Sequence, residues 1–424
     1  VSLSRNWLFA RSIVFGTVTK VAGSLVVFVG LPIIVHSLPL TDYVTFLHAM
    51  SLAAAFGMAF GAAGAVFIRD LAKVASAKVG DAAVRVERRS LGLFVTLTLA
   101  AVAVIIGLQL LRATNDAGFV ISLALMLGVA QSAAHWADAY RVATRTDHVS
   151  SVWHLMGSLS MVALLAACAP HGLWAVVLVY FGCPALAQVG NFVQLAKSRK
   201  LGPPEFAADG LLSQVRSMAP VLGGSLVDYT RIFGAGAILA LGSNNSEYSR
   251  YLTLVLLASR LTNPLSLIVR PLVPAYLDAV SASDARWLVA VGNTLSGVAL
   301  FSLLSVPVIA LVIPVSALSW VLPHDASALT SGEIASLLLF VWGQSFSVLL
   351  TPIFLAAHRP FISLATNAGA TAVGVLAGGI GLSLGYEGSM LTAMGVANAS
   401  ASILLIVYVR ARLLSVPPVR GQRA

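Results

Sequence analysis

Four ionisable side chains, Lys20, Asp228, Arg231 and Arg260, stand inside long apolar runs of this chain. At the centre of a membrane-spanning helix an Arg, Lys or Asp costs at least about 2.5–3.5 kcal/mol, so each needs a partner, a route to the interface or a polar cavity. Lys20 lies about eight residues into the first run, some 12 Å at the helical rise, and its stem can snorkel to the interface or its ammonium can line a cavity. Arg260 lies about ten residues from each end of its run, where snorkelling is harder and cavity lining is the expectation. Asp228 and Arg231 are three apart and so neighbours on one helical face. They either neutralise each other structurally or serve a central cavity between two halves of the chain. In the second case Lys20, Arg231 and Arg260 form an electropositive lining for a diphosphate, and Asp228 positions an Arg or titrates. The guanidinium fork suits phosphate oxygens because it can bind them bidentately.

The remaining polar candidates carry weaker signals. His48, His135 and His154 stand in or near apolar runs and read as hydrogen-bonded packing residues more readily than as proton carriers. Asp42 and Asp138 fall at run ends and read as interfacial. Cys168 and Cys183 read as small packing residues rather than a disulfide or metal pair. No pattern calls for a cofactor, a metal or a catalytic residue, and no GxxxxGK[ST] loop supplies an ATPase.

What must position these groups is a set of helices. Twelve stretches of about twenty mostly apolar residues run from Ile13 to Val409, each long enough to cross a hydrocarbon core. The spans are expected near 12–36, 43–68, 91–111, 118–137, 151–169, 173–194, 217–241, 250–275, 287–314, 333–356, 361–384 and 388–409. The sequence is 58% hydrophobic and 10% charged with a mean hydropathy of +0.91, far from a soluble composition. The formal charge of +10 reports topology rather than a nucleic-acid partner. With both termini in the cytoplasm, the clusters around Arg69 to Arg89, Arg141 and Arg145, Lys197 to Arg216 and the tail from Arg410 all fall inside. Only Arg112 and Arg250 fall outside, as the positive-inside rule demands. The first span is too long for a signal h-region and reads as a retained anchor.

The basic, Pro-Pro-containing segment "KSRKLGPPEFAADG" divides the chain into six spans and six. The expected organisation is an N-terminal half over 1–200, a cytoplasmic linker over 201–214 and a C-terminal half over 215–424. An internal repeat supports it: "TDYVTFL" at 41–47 and "SEYSRYL" at 246–252 share [ST][DE]Yxx[FY]L, each residue of the second copy numbered 205 higher than in the first. Both copies join the first and second spans of their half, which makes the halves parallel repeats. Their Thr or Ser and acid read as a cap on the second helix. Glycines 57, 61 and 64, and 369, 374 and 378, permit close helix contact. Pro32, Pro220, Pro264, Pro271 and Pro274 put kinks in or beside the spans that hold the deep charges.

Over residues 27–73, "VFVGLPIIVHSLPLTDYVTFLHAMSLAAAFGMAFGAAGAVFIRDLAK", the chain resembles the polysaccharide-exporting flippases of the O-antigen (Wzx) group, within the multidrug, oligosaccharidyl-lipid and polysaccharide (MOP) exporter superfamily. The carriers of the resemblance are Leu31 and Pro32, Asp42 and Tyr43 in a short outer turn, Gly57 to Gly64, and Arg69 near the inner face. The chain departs from that pattern at Val44 and Thr45, where a Gly is frequent, and lacks the two extra helices of the peptidoglycan-precursor flippases. The resemblance implies an all-α, V-shaped, MATE-like bundle of about twelve helices in a bacterial inner membrane. It also implies an undecaprenyl-diphosphate-linked oligosaccharide moved from the cytoplasmic to the periplasmic leaflet, an ion gradient as the drive, and a polysaccharide polymerase and chain-length proteins as further partners. Cationic positions carried over from it are Lys20, Arg231 and Arg260.

Three other classes compete. A MATE-like or other exporter of small molecules shares the fold, and organic cations would call for several deep carboxylates, whereas here one deep acid faces three deep bases. A major-facilitator carrier lacks support because "IRDLAKVASAK" stands where its Gly-x-x-x-Asp-Arg loop belongs. A membrane polymerase or ligase needs large outer loops with catalytic groups, and the largest outer segment, 315–332, offers only His324 and Asp325.

Overall fold

Some breakers in the sequence fall where helices stop, while Pro184, Pro220 and Pro307 lie inside helices. Leu38 and Pro39 interrupt the first repeat unit's entry, and Gly172 (φ 91°), Gly385 (φ 83°) and Gly388 (φ 73°) take positive-φ backbone at chain reversals. The computed structural model describes residues 26–76, 80–111, 116–144, 146–199, 202–206, 208–242, 245–262, 285–312, 322, 329–356, 360–386 and 388–413. Every regular element among them is helical.

A π-helical turn, Val26–Gly30, leads into α1 (Leu31–Ser37). There follow α2 (Leu40–Ser76), α3 (Gly80–Leu111), α4 (Asp116–Ala143), α5 (Asp147–Cys168) and α6 (Leu173–Arg199). Beyond 202–206 come α7 (Ala208–Tyr229), a second π-helical turn (Thr230–Gly234), α8 (Ala235–Gly242) and α9 (Asn245–Thr262). The last four are α10 (Ala285–Val312), α11 (Ser331–Ala356), α12 (Pro360–Ser383) and α13 (Ser389–Tyr408). Among the described residues, nine helices are long and apolar enough to cross a membrane: α2 to α6 and α10 to α13. They fall on nine of the twelve expected spans. The other three correspond to α1, to α7 with α8, and to α9, whose described stretches are shorter or interrupted by a π-turn.

Two compact units are distinguished, Val1–Tyr229 and Thr230–Ala424. In the first, α4 packs on α2, α3 and α6, and α5 packs on α6. In the second, α11 packs on α9, α10 and α13, and α12 packs on α13. For these pairs the order is the same in both units. The π-turns repeat as well, Thr230 to Gly234 against Val26 to Gly30, in near register with the sequence repeat. Asp42 and Glu247 each sit in the first turn of their helix, where a negative charge complements the helix dipole, and the following Tyr43 and Tyr248 are buried.

The first unit's core centres on Trp136, fully buried, stacked on Phe67 with centroids 5.4 Å apart and donating Nε1–H to Ser90 Oγ at 3.1 Å. The same ring meets Phe192 of α6 edge-on at 6.1 Å, which fixes the rotation of α4 within the unit. Helices α5 and α6 approach closely. A Cβ on Gly190 would lie 2.6 Å from the Trp153 ring, and one on Gly157 2.9 Å from Ala187 Cβ. In the second unit Gly395 sits against the Ser336 carbonyl and Gly343 against the Asn398 backbone, joining α11 to α13. The helix start at α11 is a reciprocal capping box: Glu333 N donates to Thr330 Oγ1 (3.2 Å) and Thr330 N donates to Glu333 Oε2 (2.8 Å).

The segment 202–206 is strapped to α3. Glu205 N donates to Arg88 O (2.9 Å), Arg88 Nε to Pro203 O (2.9 Å), and Arg89 Nε pairs with Glu205 Oε1 (3.0 Å).

Candidate functional site

Of the four deep charges, Lys20 lies outside the described residues, as do Pro264, Pro271, Pro274, His324 and Asp325. Arg260 is a helical residue of α9, with its side chain outside the described set. Asp228 is exposed near the end of α7, and Arg231 is 1% exposed in the π-turn that follows.

The surroundings of Arg231 follow from that π-turn. A π-turn lengthens the backbone ring, displaces a carbonyl from the α-helical ladder and so leaves it in need of a donor. Tyr251 of α9 supplies it, Oη donating to Arg231 O at 3.1 Å. The guanidinium reaches α12, Nε toward Thr371 Oγ1 (3.4 Å) and Nη2 toward Asn367 Oδ1 (3.3 Å). Asn367 Oδ1 also accepts from Ser347 Oγ of α11 (3.1 Å), and Asn367 Nδ2 donates to Ser363 O (2.9 Å). Four elements of the second unit thus meet around one buried cation. A short ion pair lies in the same unit, Arg250 Nη2 to Glu333 Oε1 at 2.7 Å with both side chains largely buried.

A second polar cluster lies in the first unit, where α4, α5 and α6 meet. Asp138 Oδ2 accepts from His135 Nδ1 and from His154 Nε2, both at 2.8 Å. Its other oxygen, Oδ1, accepts from Asn191 Nδ2 at 2.7 Å, and Asn191 Nδ2 also reaches Ser150 Oγ at 3.2 Å. Gln188 Nε2 lies 2.9 Å from His154 Nδ1, while Gln188 Oε1 is buried without a partner. One turn along, Gln194 Oε1 accepts from Arg141 Nη2 (3.0 Å) and from Trp153 Nε1 (2.9 Å). The geometry has a local cause: residues 135, 138 and 141 make one stripe on α4, and 188, 191 and 194 make one on α6. The glycine contacts between α5 and α6 bring His154 to the second stripe. Three donor atoms, His135 Nδ1, His154 Nε2 and an Asp138 oxygen, lie within 4.8 Å of one another, a set able to hold a metal ion.

No protein-family model matches the chain, and no curated protein sequence matches it. Solved structures do. It superposes on an inward-facing multidrug-resistance MATE family transporter of the MOP superfamily with a TM-score of 0.69, at 14% identity, over 94% of this chain and 96% of that one. The fold is that of the MATE transporters. A Vibrio cholerae MATE transporter variant agrees at a TM-score of 0.66 and 13% identity, covering 97% of this chain and 99% of its own. A MOP superfamily transporter from Pyrococcus furiosus gives 0.58 at 15% identity, covering 97% and 96%; it is described by a reverse polarity of its binding pocket that suggests a different function.

Within this MATE fold, sequence reasoning singled out Arg231 and missed the company it keeps, because Asn367 and Thr371 are ordinary small polar residues about 140 positions away. It also took His135, Asp138 and His154 one at a time. The signal that would have joined them is the Gln188, Asn191, Gln194 spacing: three amides three apart on one face of an otherwise apolar helix need a polar neighbour. Cys168 and Cys183 are both free thiols.

Proposed function

We propose that this chain is a transporter that flips an undecaprenyl-diphosphate-linked oligosaccharide from the cytoplasmic to the periplasmic leaflet of a bacterial inner membrane, for surface polysaccharide synthesis. It works by alternating access through a cationic cavity, driven by an ion gradient, with both termini cytoplasmic. Two six-helix halves, 1–200 and 215–424, are joined by the linker 201–214, and a polymerase and chain-length proteins act downstream. The observation that carries the reading is Arg231: a buried guanidinium at a π-turn, in the helical run that the sequence marks as the first span of the second half. Charge placed there is costly and marks a substrate or ion path. With Lys20 and Arg260 it gives three deep bases against one deep acid, the balance that an anionic diphosphate head group requires. The polar head crosses in the cavity while the polyprenyl tail stays in lipid.

A second reading is favoured by a different residue. Asp228 is exposed near the end of α7, inside an expected span, and a carboxylate so placed calls for a polar cavity rather than lipid. That suits a MATE-like exporter of small molecules, and the structure aligned at a TM-score of 0.69 is described as a multidrug-resistance MATE family transporter.

The deciding experiment deletes the gene in its host and assays which leaflet holds the lipid-linked oligosaccharide, with surface polymer measured in parallel. Oligosaccharide trapped on the cytoplasmic leaflet with loss of surface polymer is the expected result. Repeat units that still reach the periplasm would move the protein to a later polymerising or ligating step. An unchanged glycan would favour the small-molecule exporter.

A further inference from the structure

We infer that the His135, Asp138 and His154 cluster is a binding site for a divalent transition metal of the zinc class, independent of whatever substrate the chain carries. The donor set is two imidazoles and one carboxylate, which suits a borderline cation that accepts nitrogen and oxygen together. Both imidazole nitrogens already converge on one carboxylate oxygen, His135 Nδ1 and His154 Nε2 each 2.8 Å from Asp138 Oδ2. A tetrahedral ion with bonds of about 2.0–2.1 Å holds neighbouring ligand atoms roughly 3.3 Å apart, so insertion asks for a spreading of about half an ångström between side chains. The two imidazole nitrogens, which lie within 4.8 Å of each other, must come to that same spacing.

The surroundings are those of a metal site as well. Metal-bound imidazoles donate their second N–H to a nearby acceptor, and ligating carboxylates are themselves hydrogen-bonded. Asn191 Nδ2 holds the far oxygen of Asp138 at 2.7 Å. Gln188 lies against His154 Nδ1, and its Oε1 is a buried oxygen with no donor. With the amide turned over, that oxygen lies within reach of both ring nitrogens of His154, 2.9 Å from Nδ1 and 3.0 Å from Nε2, and the amide nitrogen takes its buried place. The His135 side chain is 41% exposed, which leaves a route in and room for a water as fourth ligand. Arg141, on the same stripe of α4, opposes a dication by charge, but its hydrogen bond is made to Gln194 Oε1 at 3.0 Å.

The ligands come from α4 and α5 and are braced by α6, so the ion would staple three helices of the first unit at one end. The test uses the full chain, purified in detergent without a polyhistidine tag and stripped with chelator. Titration with Zn2+ is followed by calorimetry, and Co2+ loading by visible ligand-field absorption. One equivalent of Zn2+ per chain and the intense visible bands of a four- or five-coordinate Co2+ site are expected. His154→Gln should weaken Zn2+ binding at least tenfold. His135→Ala, which leaves the Asp138 bonds to His154 and Asn191 in place, should abolish the Co2+ bands while melting like the stripped wild type. Absence of stoichiometric binding by the wild type, or equal binding and equal Co2+ spectra in wild type and both variants, would overturn the assignment and leave the cluster as a hydrogen-bonded brace.

Discussion

Asn191 on α6 donates Nδ2–H to Asp138 Oδ1 on α4 at 2.7 Å, so a carboxylate inside the helical bundle is held from a helix other than its own. Asn191 is fully buried. Asn191→Leu keeps the volume and removes the donor, and a charged acceptor losing a buried bond costs about 1–3 kcal/mol. The expected outcome is a lower melting temperature in detergent, with Asn191→Asp lower still because it sets two carboxylates side by side. Melting at the wild-type temperature for both would show that the bond carries no stability.

The contact of α5 with α6 depends on glycine. Gly190→Ala drives a methyl group against the Trp153 ring, and overpacking of this kind costs about 1–3 kcal/mol. Gly182→Ala, on the same helix with nothing within 4 Å of a new Cβ, is the control and should melt as wild type. Thermal unfolding by intrinsic fluorescence separates the two.

Glu333 serves both the capping box with Thr330 and the ion pair with Arg250. Glu333→Gln retains the box and loses the charge, whereas Glu333→Ala loses both and leaves the largely buried Arg250 without its carboxylate. Stability should fall in the order wild type, Gln, Ala, with a step of about 1 kcal/mol for the box. Equal melting of the Gln and Ala variants would assign the whole effect to the ion pair.

Arg231 meets Asn367 and Thr371 through a fork that an ammonium cannot reproduce. In the complementation assay, Arg231→Ala and Arg260→Ala should each lower surface polymer at least tenfold at equal membrane abundance. Arg231→Lys should retain an intermediate level. Normal export by either alanine variant would remove that residue from the transport path.

The strap formed by 202–206 passes directly over Gly92, where a Cβ would overlap the Glu205 carbonyl. Gly92→Ala should release the strap and speed proteolysis between α6 and α7, with a cost of about 1–3 kcal/mol. Arg88→Ala, which removes the bond to Pro203 O, should do the same to a smaller degree. Unchanged cleavage rates would mean that the strap does not protect the segment.

The sequence alone determined the class of the molecule, its helices and its repeat. These follow from local physics: an apolar run of about twenty residues must satisfy its own backbone in lipid, so it becomes a helix wherever it folds. The expected spans and the nine long helices agree for that reason, and the "TDYVTFL" and "SEYSRYL" motifs announce a repeat that the helix pairing of each unit reproduces. Only the tertiary structure decided which polar residues meet. Asp138 is joined by residues 16 and 53 positions away, and Arg231 by residues about 140 away. The amide spacing on α6 marks a face that needs a polar neighbour but does not name it, because which residues meet is set by how closely α5 and α6 approach and by where a π-turn rotates the chain. Whether Arg231 points into or out of its unit was undetermined for the same reason: one extra residue in a helical turn swings every later side chain to a new face, and composition does not report it.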